Sequence, residues 1–212
     1  LIYFNILLLI FIILCSVAII QFPNNYHFLH NTISDLGGRR SNPEGHKYWN
    51  IGIFILGWLM IPYFLYINNI LKNLGPKTSK YTRHLAFLNC ISFSLIGIIT
   101  QDFGDLHYGL AIFSFGGFLI KGDLEYLYII RDYKNDFQFI SRIYSSLGIF
   151  YIFYTISMIF VLIFWKFYDF LPNTLFFSFW MWEWILLFNT IINFFLIFYI
   201  AKKLLIMKEI NK

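Results

Sequence analysis

The sequence predicts an all-α, polytopic integral membrane protein: one domain over residues 1–212, a bundle of six transmembrane helices with both termini cytoplasmic. Three observations carry this. Hydrophobic residues make up 59% of the chain and charged residues 13%, about half the charged share of an ordinary soluble domain. The apolar residues come in long blocks, and a bilayer core takes about 20 of them per helix. The basic residues between the blocks fall mostly on one side of the predicted bundle.

The first span, about 1–22, has no charged residue. It is longer than the apolar core of a secretory signal and so reads as a membrane helix. The chain opens on Leu1 rather than Met, so a short tail is expected ahead of it. The second span, about 48–71, is also uncharged. The third, about 85–101, is the shortest, diluted by Asn89, Ser92, Ser94 and Gln101. The fourth, fifth and sixth cover about 108–130, 144–165 and 174–200.

Orientation follows from Lys and Arg. Eleven of them lie in the 71–84 connection, the 131–143 connection and the C-terminal tail, against four (Arg39, Arg40, Lys47, Lys166) in the opposite loops. Cytoplasmic loops are the basic ones, which places both termini in the cytoplasm and the protein in the cytoplasmic membrane, multi-pass. The net charge of +5 is therefore a topology signal, and no nucleic-acid partner is expected. Cys15 and Cys90 fall inside predicted spans, which points away from a disulfide framework. Abundant Ile, Phe, Asn and Lys with little Ala suggests an AT-rich genome.

Two polar segments then share the outer face. One is the loop with His27, His30, Ser34, Asp35, Arg39, Arg40 and His46; the other is Gln101 to His107, with Asp102 and Asp105. Polar sequence between two spans must leave the hydrocarbon or line a protein-walled cavity. Ser34 and Asp35 can accept backbone N–H bonds in a turn, Gly37-Gly38 gives backbone freedom, and Pro43 directs the chain into the second helix. On one reading this loop is a folded lid over the first two helices. On another, Asp35 anchors a cation or positions Arg39 and Arg40 for an anionic headgroup, Arg being a bidentate phosphate partner.

The segment Ile33-Ser34-Asp35-Leu36-Gly37 with Pro43-Glu44, then Asn50-Ile51-Gly52, resembles a prokaryotic six-helix membrane family, domain of unknown function 998. The resemblance continues at Asp102 to His107 and at Trp182-Glu183, where that family often has Glu-Arg and this chain has Trp184 in place of the Arg. The loop is also similar to that of the Frag1/DRAM/Sfk1 family. The second resemblance implies a role around membrane lipids; the first implies no particular activity.

Metal and acid chemistry complete the expectations. His27, His30 and His107 are weak candidate metal ligands, because His-x-x-His in a loop is a loose pattern and no His-Glu-x-x-His helix is present. No cofactor is expected. Glu183, inside the sixth span, must face protein, with Lys121, Asp123 and Glu125 of the fourth span as candidate companions. Three functions follow: a non-enzymatic lipid-associated protein that binds or senses headgroups through the outer polar residues; a lipid-modifying membrane enzyme, with or without a metal, using Asp35 with His27, His30 or His107; or a small transporter using Glu183. Membrane lipids are the expected partners.

Overall fold

The computed structural model describes residues 2–23, 25–28, 30–74, 76–133, 149–150, 152–163 and 179–210. The described residues form α-helices with two short 3-10 turns. The helices are α1 (Ile2–Ile20), α2 (His46–Leu74), α3 (Pro76–Ile96), α4 (Asp105–Tyr133), α5 (Ile152–Ile163) and α6 (Phe179–Ile210). Three stretches are long and apolar enough to cross a membrane: Ile2–Ile20, His46–Lys72 and Trp180–Lys203. Each carries an unbroken apolar run that would be costly to leave in water. The other helices differ for visible reasons: α3 carries Lys77, Lys80 and Arg83, α4 carries Lys121, Asp123 and Glu125, and α5 is short.

The helix ends correct the sequence reading. The expected third span, about 85–101, is a helix over Pro76–Ile96. Proline suits the first helical position, where its fixed φ is helical and its missing N–H has no partner to lose. The basic residues Lys72, Lys77, Lys80 and Arg83 therefore sit on helices rather than in a long connection. Likewise α6 runs on to Ile210, past the expected end near 200, because Lys202 and Lys203 are good helix formers. The expected 144–165 span is described only in part, and Lys134, Arg142, Lys166 and Lys212 lie outside the described residues.

Helix α2 packs along α3 and α3 along α4, while α1 lies against α2 and α6 touches both α2 and α4. The main core joins Phe4 and Leu7 of α1, Leu56, Phe64 and Ile67 of α2, Cys90 and Phe93 of α3, Phe118 of α4 and Leu187 and Phe198 of α6. A second cluster joins Leu119, Tyr154, Met158, Val161, Trp182 and Leu186, fastening α5 to α4 and α6. Close approach of α2 and α3 depends on Gly57, where a Cβ would stand 2.7 Å from the Cys90 carbonyl oxygen. Large apolar side chains such as Ile13, Ile51, Trp58 and Phe188 face outward, as expected where lipid is the solvent.

Candidate functional site

The loop between α1 and α2 folds into a cap held by its own side chains. Thr32 N–H donates to Asp35 Oδ2 at 2.7 Å, and Asp35 N–H donates to Thr32 Oγ1 at 2.9 Å. This reciprocal pair works as a capping box does, satisfying two backbone donors at the start of the 3-10 turn Ser34–Gly37. Asn42, fully buried, donates to the carbonyls of Ala18 (3.0 Å) and Leu36 (3.1 Å) and accepts from Gly45 N–H (3.0 Å). It ties the end of α1, the turn and the approach to α2 together. Asn50 of α2 donates to Gly37 O at 2.9 Å. Tyr26 donates to Thr32 O (2.8 Å) and accepts from Trp184 Nε1 (3.1 Å), which fixes the cap to α6. Burial pushes the Tyr26 hydroxyl above its ordinary pKa, so it stays a donor.

The second polar segment meets this cap. Arg39 N–H donates to Asp102 Oδ2 at 2.7 Å, and Thr100 Oγ1 donates to the same oxygen at 3.2 Å. Slight burial acts to raise the Asp102 pKa, but the N–H bonds from Arg39 and Arg40 prevail and hold the carboxyl below its usual range. Gly104 takes φ +56° between the 3-10 turn Gln101–Phe103 and α4, a conformation open to glycine.

Where cap, α4 and α6 converge, three reactive side chains touch. Ser34 Oγ lies 2.6 Å from Glu183 Oε1 and 3.2 Å from His107 Nε2. Ile33 N–H donates to Glu183 Oε2 at 3.0 Å. His107 Nδ1 donates to the carbonyl of Ile99 at 2.6 Å, since a carbonyl can only accept. His107 is buried at 3% exposure and Ser34 at 9%. Glu183 lies four residues into α6, about 6 Å along its axis.

This cluster revises several expectations. Glu183 faces Ser34, Ile33 and the cap, whereas Lys121 pairs with Glu125 at 2.6 Å. Lys121 lies fourteen residues beyond His107 on α4, about 21 Å along the helix, too far to reach the same site. It is buried at 3% exposure, with its ammonium over the Phe64 ring, rather than extended toward the surface. Ser34, not Asp35, makes the bond to His107, and Asp35 serves the local turn. Arg39 and Arg40 are exposed on the cap, and it is Asp102 that holds the Arg39 backbone. Asp105 is exposed in the first turn of α4, where a carboxylate suits the helix dipole. His27 and His30 are exposed, their rings 4.7 Å apart, whereas His107 is buried and meets Ser34. Among the described residues, no three His, Cys, Asp or Glu side chains gather as a metal site.

The residues that sequence reasoning passed over are Thr32, Asn42 and the Ile99 carbonyl; Asn50 enters only as part of a motif, without a site role. Asn42 directly before Pro43 was a turn signal, but nothing in the spacing shows that its side chain is buried.

A pocket of about 40 Å³ lies at the cluster, with Ser34, Asn50, Gln101, His107 and Glu183 set in a wall that is otherwise mostly apolar, Trp49, Ile53 and Ile96 among it. It shares the wall residues Phe11, Phe93, Phe115 and Leu187 with an apolar cavity of about 70 Å³ among α1, α2, α3, α4 and α6. The hydrogen-bonding groups of the first can hold water, which a cavity lined mainly by Leu and Phe does not.

Fold and site together define an all-helical protein with three helices able to cross a bilayer and a polar cap closed over one end. In comparisons with known proteins, the chain matches no protein-family model, no curated protein and no solved structure.

Proposed function

We propose that the protein is a six-span bundle with both termini cytoplasmic, whose cap binds the polar end of a lipid from the outer leaflet. The observation that carries this is that the pocket holding Ser34, His107 and Glu183 shares the wall residues Phe11, Phe93, Phe115 and Leu187 with the apolar cavity. A few hydrogen-bonding groups set beside apolar space match an amphiphile better than an ion or a water-soluble metabolite. Transport of a proton through Glu183 would need a wet path onward, and the cavity that shares walls with its pocket is lined mainly by apolar side chains, with Tyr63 and Thr190 as its hydroxyl-bearing residues. The similarity of the Ile33–Gly37 loop to that of the Frag1/DRAM/Sfk1 family points the same way.

An enzymatic reading has one observation behind it, the His107 Nε2 to Ser34 Oγ contact. In an acid–histidine–serine relay, however, the acid holds Nδ1. Here Ile99 O takes Nδ1 and Glu183 sits on the serine. That order favours binding over acyl transfer.

Two measurements test the proposal. Full-length protein purified in mild detergent is expected to carry lipid detectable by native mass spectrometry, and Met60→Trp, which fills the apolar cavity, to lose it. Protein free of lipid after gentle extraction, and unable to take it up from vesicles, refutes the reading. For topology, a cysteine at exposed Glu44 is expected to react with an impermeant reagent outside the cell and one at exposed Lys80 is not; the reverse pattern overturns the orientation.

A further inference from the structure

The hydrogen-bond arithmetic of the cluster narrows the lipid that the pocket accepts, an inference that rests on the lipid-binding reading above. The Ile99 carbonyl fixes one proton on His107 Nδ1. The single hydroxyl proton of Ser34 cannot serve both Glu183 Oε1 and His107 Nε2, yet Ser34 Oγ is within hydrogen-bond distance of both. If both contacts are hydrogen bonds, one further proton sits on the Glu183 carboxyl or on Nε2. In the first arrangement both groups are neutral; in the second a carboxylate and an imidazolium are bridged by the hydroxyl. The pair carries zero net charge either way.

Among the described residues, no Lys or Arg lines the pocket, and Arg39 and Arg40 are exposed on the cap surface. The charged side chains that act on the pair from the cap are acids, Asp35 on Glu183 and Asp102 on His107. An anion brought into this pocket would lose its hydration and gain no cation, a cost of several kcal/mol in order of magnitude. An uncharged oxygen meets the reverse situation, because Asn50, Gln101 and the Ser34–His107–Glu183 chain offer both donors and acceptors.

Size agrees. At about 10–15 Å³ per water-sized group, the polar pocket holds about three such groups and the apolar cavity about half a dozen. That admits a hydroxyl or a glycerol ester with the first part of one chain, and it excludes a bulky zwitterionic headgroup. A groove between α4, α5 and α6, lined by Tyr108, Ile112, Met158, Val161 and Leu186, ends on Glu183 and gives a sideways approach from the helix faces.

We propose that the pocket takes an uncharged single-chain amphiphile with a hydroxyl or ester oxygen at its head, the chemistry of a long-chain alcohol or monoacylglycerol.

The test is photolabelling of the full chain in phosphatidylcholine nanodiscs by a long-chain alcohol carrying a diazirine, with competitors added. Saturable labelling is expected on α4 and α6 peptides, competed by monooleoylglycerol and not by oleate at pH 9 or by phosphatidylglycerol. Ser34→Ala is expected to weaken labelling about three- to tenfold, as loss of one hydrogen-bonding group does. Glu183→Gln, which preserves zero charge and a hydrogen-bonding head, is expected to keep the preference for uncharged competitors. Equal or better competition by the anions overturns the uncharged-head inference while leaving lipid binding intact. Absence of saturable labelling together with absence of lipid uptake from vesicles removes both. The competition is read on the unsubstituted protein, so it does not depend on any variant folding.

Discussion

Glu183→Ala should loosen the cap by an amount that can be worked from its contacts. The carboxylate receives Ile33 N–H at 3.0 Å and meets Ser34 Oγ at 2.6 Å, and both residues are buried. In the alanine variant Ser34 can still donate to His107 Nε2, 3.2 Å away, so the hydroxyl keeps a partner. Ile33 N–H does not, and an orphaned buried donor costs about 1–3 kcal/mol. The lost hydrogen bond to a charged or acidic group adds to that, which places the local cost at about 2–4 kcal/mol. Since 1.36 kcal/mol is tenfold, protection of the Ile33 amide against hydrogen exchange should fall about 30- to 1,000-fold. Glu183→Gln keeps an acceptor oxygen for one of the two donors, so its loss should be within about tenfold. The assay is exchange in detergent read by mass spectrometry over the 30–40 peptide, with the 85–95 peptide of α3 as internal reference. Protection in Glu183→Ala within threefold of the parent chain would refute the view that Glu183 anchors the cap.

Three further outcomes are expected. Asn42→Ala removes two donations and one acceptance at a fully buried position and should cost about 2–4 kcal/mol of stability, read as a lower unfolding midpoint in denaturant. Gly57→Ala places a methyl against the Cys90 carbonyl and should cost about 1–3 kcal/mol by forcing α2 and α3 apart, which the same unfolding curve measures. Asp102 has a lowered pKa in the fold, so its contribution is complete above the ordinary value of 3.8 and is lost as pH falls through the lowered one. The Arg39 amide resonance should accordingly titrate with a midpoint below 3.8, and Asp102→Asn should abolish that titration.

Much of this molecule was legible in its sequence. The charge-free runs over Leu1–Phe22 and Tyr48–Leu71 and the apolar run around 180–200 sufficed for three helices able to cross a bilayer. The free energy of moving side chains out of water adds up residue by residue and needs no knowledge of neighbours. Ser34, His107 and Glu183 were each marked by the same logic, as polar groups beside or within apolar runs. Their pairing was not. Ser34 and Glu183 are 149 positions apart and Ser34 and His107 are 73 apart, so contact depends on how each helix is rotated in the bundle. Rotation also decided that Lys121 meets Glu125 one turn away rather than Glu183, and that Asp35 turns back to Thr32. The start of α3 at Pro76 was hidden because Lys77, Lys80 and Arg83 read as a loop by hydropathy, although charged residues are good helix formers. Composition is a property of segments, and the site is a property of their packing, where directional bonds choose one partner among several of equal polarity.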